Sequence, residues 1–327
     1  MYPYLSDLFK DFLGIELPLP IYSFGAMVAL GAMVAAWLLG KELDRYYRAG
    51  LINGVKMPAE MTKKEAGKKG GKSRGGQRRA GRKLVTVSPS YAVWTVTIVA
   101  LVSGFAGAKI FHALENLDKF AADPLGMLFS SGGFTFYGGL LVGTISVIWY
   151  LRKKDLSVPV FADSLAPGLM IAYGIGRMGC HLAGDGDWGI AANLALQPSW
   201  MPDWLWAETY PSNILGRDLS AAPVYPTPIY EFFAALVIFA ILWSLRKHPF
   251  VSGWLFFVYL MFNGVERFLI EKLRVNNVFD LFGMDVTQAE IIASLIFLTG
   301  LIGVIKTSKK RIDQKSEAPT DGAHIGS

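Results

Sequence analysis

Apolar residues in this chain arrive in blocks of about 20, the length a helix needs to cross the hydrocarbon core of a bilayer. In lipid such a helix satisfies its own backbone N–H and C=O groups, which no irregular segment can do. Seven blocks meet the window criterion for membrane helices, near residues 21–40, 91–113, 133–151, 158–176, 229–245, 251–271 and 288–305. The average composition, 52% hydrophobic and 18% charged, would suit a soluble domain too; the clustering does not. The sequence therefore predicts an all-α membrane protein of about seven transmembrane helices. The first block is read as retained, because the preceding DLFKDFLGIELPLP is long, acidic and lacks a basic leader.

Charge sets the orientation. Residues 41–83 hold 14 Lys or Arg against 4 Asp or Glu, in a chain whose net charge is +6. With the amino terminus outside, the inward connections and the tail from Lys306 carry 24 of the 32 basic residues, as the positive-inside rule requires. The expected organisation is an outward segment and first helix over 1–40, then a basic cytoplasmic loop over 41–90. Membrane helices two to four cover 91–176, and an outward head domain follows over 177–228. Helices five to seven cover 229–306, and a polar, disordered tail covers 307–327. The stretch 54–83 is too poor in apolar residues to fold alone and reads as a solvated loop. Nucleic-acid binding is not expected there, since no aromatic residues interleave the lysines. The connection after residue 177 holds Trp188, Trp200, Trp204 and Trp206, four of nine tryptophans, and indole rings favour the headgroup level.

Ionisable residues at membrane helix ends are costly and need a partner or a task. The candidates are Arg177, Glu231, Glu266, Arg267 and Glu271. Arg267 and Glu271 are four apart and share a helix face; they form either a structural ion pair or a phosphate clamp, since a guanidinium matches two phosphate oxygens at once. The segment 174–189 has six glycines in sixteen residues, a composition suited to a loop that presents N–H groups to an anion or to a tight helix exit. The lone Cys180 excludes an internal disulfide and reads as a small packed residue. His181 beside it is the histidine nearest these motifs. No metal-ligand spacing and no cofactor motif stands out.

Five motifs occur in one order: Phe136-Tyr137-Gly138-Gly139, Asp163-Ser164-Leu165-Ala166-Pro167, GRMGCHLAGDGDWG at 176–189, Tyr225-Pro226-Thr227-Pro228-Ile229-Tyr230-Glu231, and Arg267-Phe268-Leu269-Ile270-Glu271. This series resembles the prolipoprotein diacylglyceryl transferase family. The resemblance implies a helical body in the bacterial inner membrane with a periplasmic head. It implies phosphatidylglycerol as donor, the lipobox cysteine of a prolipoprotein as acceptor, and no cofactor. It assigns Arg177 and Arg267 as the essential arginines, with Glu271 beside the second. Gly179, Gly184 and Gly189 are then signature glycines, Tyr230 and Glu231 the Tyr-Glu pair, and Asp185 stands near an acidic position. Cys180 and His181 fall within the same signature, Cys180 where many members carry Asn. Tyr137 occupies the place of a histidine in many members and is the candidate to receive the thiol proton. Two other readings stay open at this level: a non-catalytic relative that binds lipoprotein precursors, and an anion or lipid transporter.

Overall fold

A computed structural model describes residues 1–16, 18–58, 84–130, 133–276, 278–281 and 284–309. The core of the predicted basic loop, 59–83, and the predicted tail from 310 lie outside the described residues. Helices dominate. In chain order they are α1 (Leu5–Leu13), α2 (Ser23–Arg48), α3 (Val93–Glu115), α4 (Leu117–Ala122), α5 (Pro124–Phe129), α6 (Phe136–Lys153), α7 (Val158–Ala183), α8 (Asp203–Trp206), α9 (Thr227–Leu245), α10 (Trp254–Glu271) and α11 (Gln288–Ser308). Two antiparallel hairpins depart from the all-helical expectation: β1 (Val55–Pro58) with β2 (Leu84–Val87), and β3 (Val278–Leu281) with β4 (Met284–Thr287).

Among the described residues, five helices are long and apolar enough to cross a membrane: α2, α3 with the turn before it, α7, α9 and α11. The two other predicted spans form as α6 and α10, each 18 residues long. Both carry charge within that length. α6 ends on Arg152 and Lys153, and α10 holds Glu266, Arg267 and Glu271. The sequence also misjudged lengths. α2 runs well past residue 40 because Leu39, Leu43 and Tyr46 are buried, with Glu42 and Arg45 paired beside them. α7 runs to Ala183, so the first half of the glycine-rich stretch is helix and its amides are spent within the helix rather than offered to an anion.

The chain divides into two compact units. Of the described residues, one takes those up to Leu38 and those from Pro159 to Lys309; the other takes those within Leu39–Val158. Within the second unit, α3 and α6 pack through small residues. A Cβ on Gly107 would stand 2.6 Å from the Gly138 carbonyl oxygen, and one on Gly138 would stand 2.7 Å from that of Gly107. Only glycine permits that approach, the usual device where lipid supplies no hydrophobic drive between helices. The first unit applies the same device to α2 and α7, at Gly31 against Ala172, Gly168 against Ala35 and Gly179 against Phe24 and Met27. Its apolar core, with Met170, Ala235, Leu242 and Leu255, joins α7, α9 and α10. The connection between α7 and α9 has its own small core of Trp188, Tyr210 and Val224. Bridges tie Val224 to Ala191 and to Glu208.

Candidate active site

α7, α9 and α10 alternate in direction, so the last turns of α7 and α10 meet the first turn of α9 at one end of the first unit. At that end lie Arg177, Glu231, Glu266, Arg267 and Glu271, the costly residues the sequence singles out. Glu231 is fully buried. It accepts a 2.5 Å hydrogen bond from Arg177 Nε and an ion-pair contact from the same guanidinium. Arg267 reaches its other oxygen at 3.7 Å and holds Glu271 at 3.0 Å across one helical turn. The two arginines predicted to act together therefore share one carboxylate. Arg177 is buried with its donors turned to acids, whereas the Arg267 side chain stays 31% exposed.

A third guanidinium completes the cluster. Arg274 binds Asp187 at 2.5 Å and approaches Glu231 at 3.7 Å. The chain after α7 brings it there. Gly189 forms a bridge with Arg274, and Ile190 N–H donates to the Leu273 carbonyl at 2.7 Å. A Cβ on Gly189 would stand 2.6 Å from that same carbonyl oxygen, which is why glycine is required there. Gly184 ends α7 at φ 60°, the left-handed region glycine enters without strain. Asp187 joins Arg177 to Arg274, with one oxygen on each. Thr227 Oγ1 at the start of α9 donates to its carbonyl at 2.8 Å.

Of the two signature aspartates, Asp187 is the one in the arginine cluster. Asp185 instead accepts from the Asp187 N–H at 3.2 Å. Burial would raise both carboxyls. For Asp187 the charges of Arg177 and Arg274 outweigh that and hold it below the usual carboxylate range. For Asp185 burial wins and pushes it up. The sequence reading put Asp185 near the acidic position of the signature, with Gly186 and Asp187 as extra residues; in the structure it is Asp187 that meets the arginines.

Of the remaining predicted residues, Cys180 borders the cluster and the others are dispersed. Cys180 is buried 3.6 Å from Arg177 NH1. Its sulfur and the Asp185 and Asp187 carboxylates lie within 4.8 Å of one another, the one such trio of possible metal ligands among the described residues. Both Asp187 oxygens are taken by guanidiniums, which makes the trio part of an arginine–carboxylate knot. His181 Nδ1 stands 3.2 Å from the Tyr210 hydroxyl, away from the arginines' own partners. Tyr230 donates to the Leu205 carbonyl at 2.7 Å and anchors the connection rather than the cluster. Tyr137 belongs to the second unit, near the start of α6, with its ring edge-on to Phe136.

Sequence reasoning missed Arg274 and Tyr173. The Tyr173 hydroxyl donates to Glu231 Oε1 at 2.8 Å and lies 3.2 Å from Glu266. A signal existed for Tyr173, which stands four residues before Arg177 on the same helix face; Arg274 lies beyond the end of α10 and is brought in by its bridge to Gly189.

Comparison with known proteins bears on this geometry directly. The family model described as prolipoprotein diacylglyceryl transferase matches residues 75–306. Proteins named phosphatidylglycerol–prolipoprotein diacylglyceryl transferase are similar over much of their length. That of Leptospira interrogans is 27% identical over 84% of this chain and 77% of its own. That of Corynebacterium diphtheriae is 30% identical over 64% and 74%, and that of Oceanobacillus iheyensis 24% identical over 94% and 92%. The arginine–carboxylate cluster lies wholly inside the matched span, and the chain belongs to the prolipoprotein diacylglyceryl transferase family.

Proposed function

We propose that the protein transfers the diacylglyceryl group of phosphatidylglycerol to the thiol of a prolipoprotein lipobox cysteine, forming a thioether and releasing glycerol phosphate. The observation that carries this is the meeting of Arg177 and Arg267 on the buried Glu231 at one end of a membrane bundle. In the reaction the thiolate attacks the glyceryl carbon bearing phosphate. The carbon–oxygen bond breaks, and its electron pair leaves on the phosphate. Donors fixed where that charge develops are worth most. Arg267 is the more exposed of the pair and has its fork steadied by Glu271. It grips the phosphate first, while Arg177 holds Glu231 in register. The signature glycines let the backbone close around this end; Tyr137, which the family resemblance makes the candidate acceptor of the thiol proton, belongs to the other unit.

Two acyl chains of about 30 methylenes, at about 0.8 kcal/mol each, hold the donor in the bilayer by about 24 kcal/mol. The site must therefore meet the lipid at the membrane. With α6 and α10 read as spans beside the five apolar helices, and the amino terminus read as outside, the cluster falls at the outer face. The Lys/Arg asymmetry supports that orientation. The connection over 184–226 then forms the periplasmic head, with Trp200 and Trp204 exposed towards the headgroups. Purified protein, phosphatidylglycerol and a lipobox peptide should yield a peptide heavier by one diacylglyceryl group and free glycerol phosphate. Anion flux through liposomes with no peptide gain would support a transporter instead. If Tyr137→Phe turns over at the wild-type rate, the proton goes elsewhere.

A further inference from the structure

Three arginines in the cluster meet three carboxylates: Asp187, Glu231 and Glu271. Glu266 is a fourth acid, buried one residue before Arg267, and no arginine among the described residues forms an ion pair with it. Its one hydrogen-bond partner there is the Tyr173 hydroxyl, 3.2 and 3.3 Å from its two oxygens. That hydroxyl has a single proton, and its shorter contact is the 2.8 Å bond to Glu231. A phenol donates once; its lone pairs can only accept. An ionised Glu266 would thus face lone pairs, buried and without a donor, the costliest state for a carboxylate.

We infer that Glu266 is a protonated carboxylic acid that donates to Tyr173, which donates in turn to Glu231, so that this chain of hydrogen bonds positions the carboxylate shared by the arginines. Its proton also balances the cluster at three positive and three negative charges. Facing Glu266 are Tyr173 and Arg177 from α7, Glu231 from α9, and Tyr259 and Arg267 from its own helix. α11 packs on α10 at Gly264 through Ala293 and Phe297, and its one buried acid, Glu290, pairs with Lys272. Arg177 and Arg267 spend their close contacts on the other carboxylates. Glu266 is a positioning residue: it acts on substrate only through Glu231 and the arginines. Its effect on turnover rests on the transferase reading above.

The test compares Glu266→Gln with Glu266→Ala in detergent-purified full-length protein. Glutamine keeps a neutral donor to Tyr173, so Glu266→Gln should transfer diacylglyceryl within a few-fold of wild type. It should also extend activity to higher pH, because the group lost on deprotonation is gone. Glu266→Ala should lose about tenfold or more, the scale of one buried hydrogen bond. Infrared difference spectra of wild type against Glu266→Gln should show one protonated-carboxyl carbonyl band, and Tyr173→Phe should shift that band. Absence of the band at neutral pH, or a Glu266→Gln variant as inactive as Glu266→Ala, overturns the inference. A band present in a protein that transfers no lipid would sink the transferase reading and leave the proton assignment standing.

Discussion

The two ends of α10 each meet a buried carboxylate, and they use it in opposite ways. At the amino end Asp163, from α7, accepts from the Gly253 N–H at 2.7 Å and the Phe256 N–H at 2.8 Å. Those amides are helix-terminal donors with no partner inside their own helix. His248 closes over the same aspartate at 3.4 Å. At the carboxyl end Glu231, from α9, meets arginines. Amide donors are fixed by the backbone and cannot turn elsewhere, so Asp163 fastens α7 to the start of α10. Guanidiniums ride on long side chains and can share their donors with a phosphate. The same acid group builds structure at one end of the helix and the proposed reactive site at the other, and the donor's freedom makes the difference.

Breaking each end should therefore give different signatures. The largest effect is expected for Glu231→Ala, which leaves buried guanidiniums facing no shared acid. Unfolding in detergent should show a loss of about 3–5 kcal/mol, with transfer abolished. Next, Arg267→Lys should keep the fold but lower kcat/KM by about 10²–10³-fold, since an ammonium cannot match two phosphate oxygens. Asp163→Ala should do the reverse, costing about 1–3 kcal/mol for each amide left unpaired while activity per folded molecule stays near wild type. Equal activity losses at the two ends would erase the distinction drawn here.

The signature aspartates sharpen the same contrast. Asp187 is held below the unfolded value of about 3.9 because its arginines outweigh its burial. Its stabilisation is full above that pH and is lost as pH falls through the lowered folded value. Asp187→Asn should flatten the acid limb of the stability profile and impair transfer. Asp185 is raised by burial, so its ionisation opposes folding as pH rises through the folded value. Asp185→Asn should be neutral or stabilising at pH 7, with transfer little changed. The smallest effect is expected for Cys180→Ser, because the reacting thiol belongs to the acceptor peptide. A dead Cys180→Ser variant of normal stability would assign this thiol a chemical role.

The sequence alone determined the membrane-helical class and the approximate positions of seven long helices, and it singled out Arg177, Glu231, Arg267 and Glu271, which the structure brings into one cluster. Blocks of about 20 apolar residues and charges that lipid will not accept unaided are local properties, legible one residue at a time. It could not determine where α2 and α7 stop, because burial of Leu43 and the seat of Gly179 on Phe24 depend on neighbours distant in the chain. The hairpin of β3 and β4 escaped it too, being four residues to a strand. Only the tertiary structure decided that Asp187 rather than Asp185 meets the arginines, that Arg274 completes them, and that Tyr173 stands between two glutamates. Each of those contacts joins segments between 10 and 93 residues apart. Their geometry is set by how closely the helices pack, which no local pattern records.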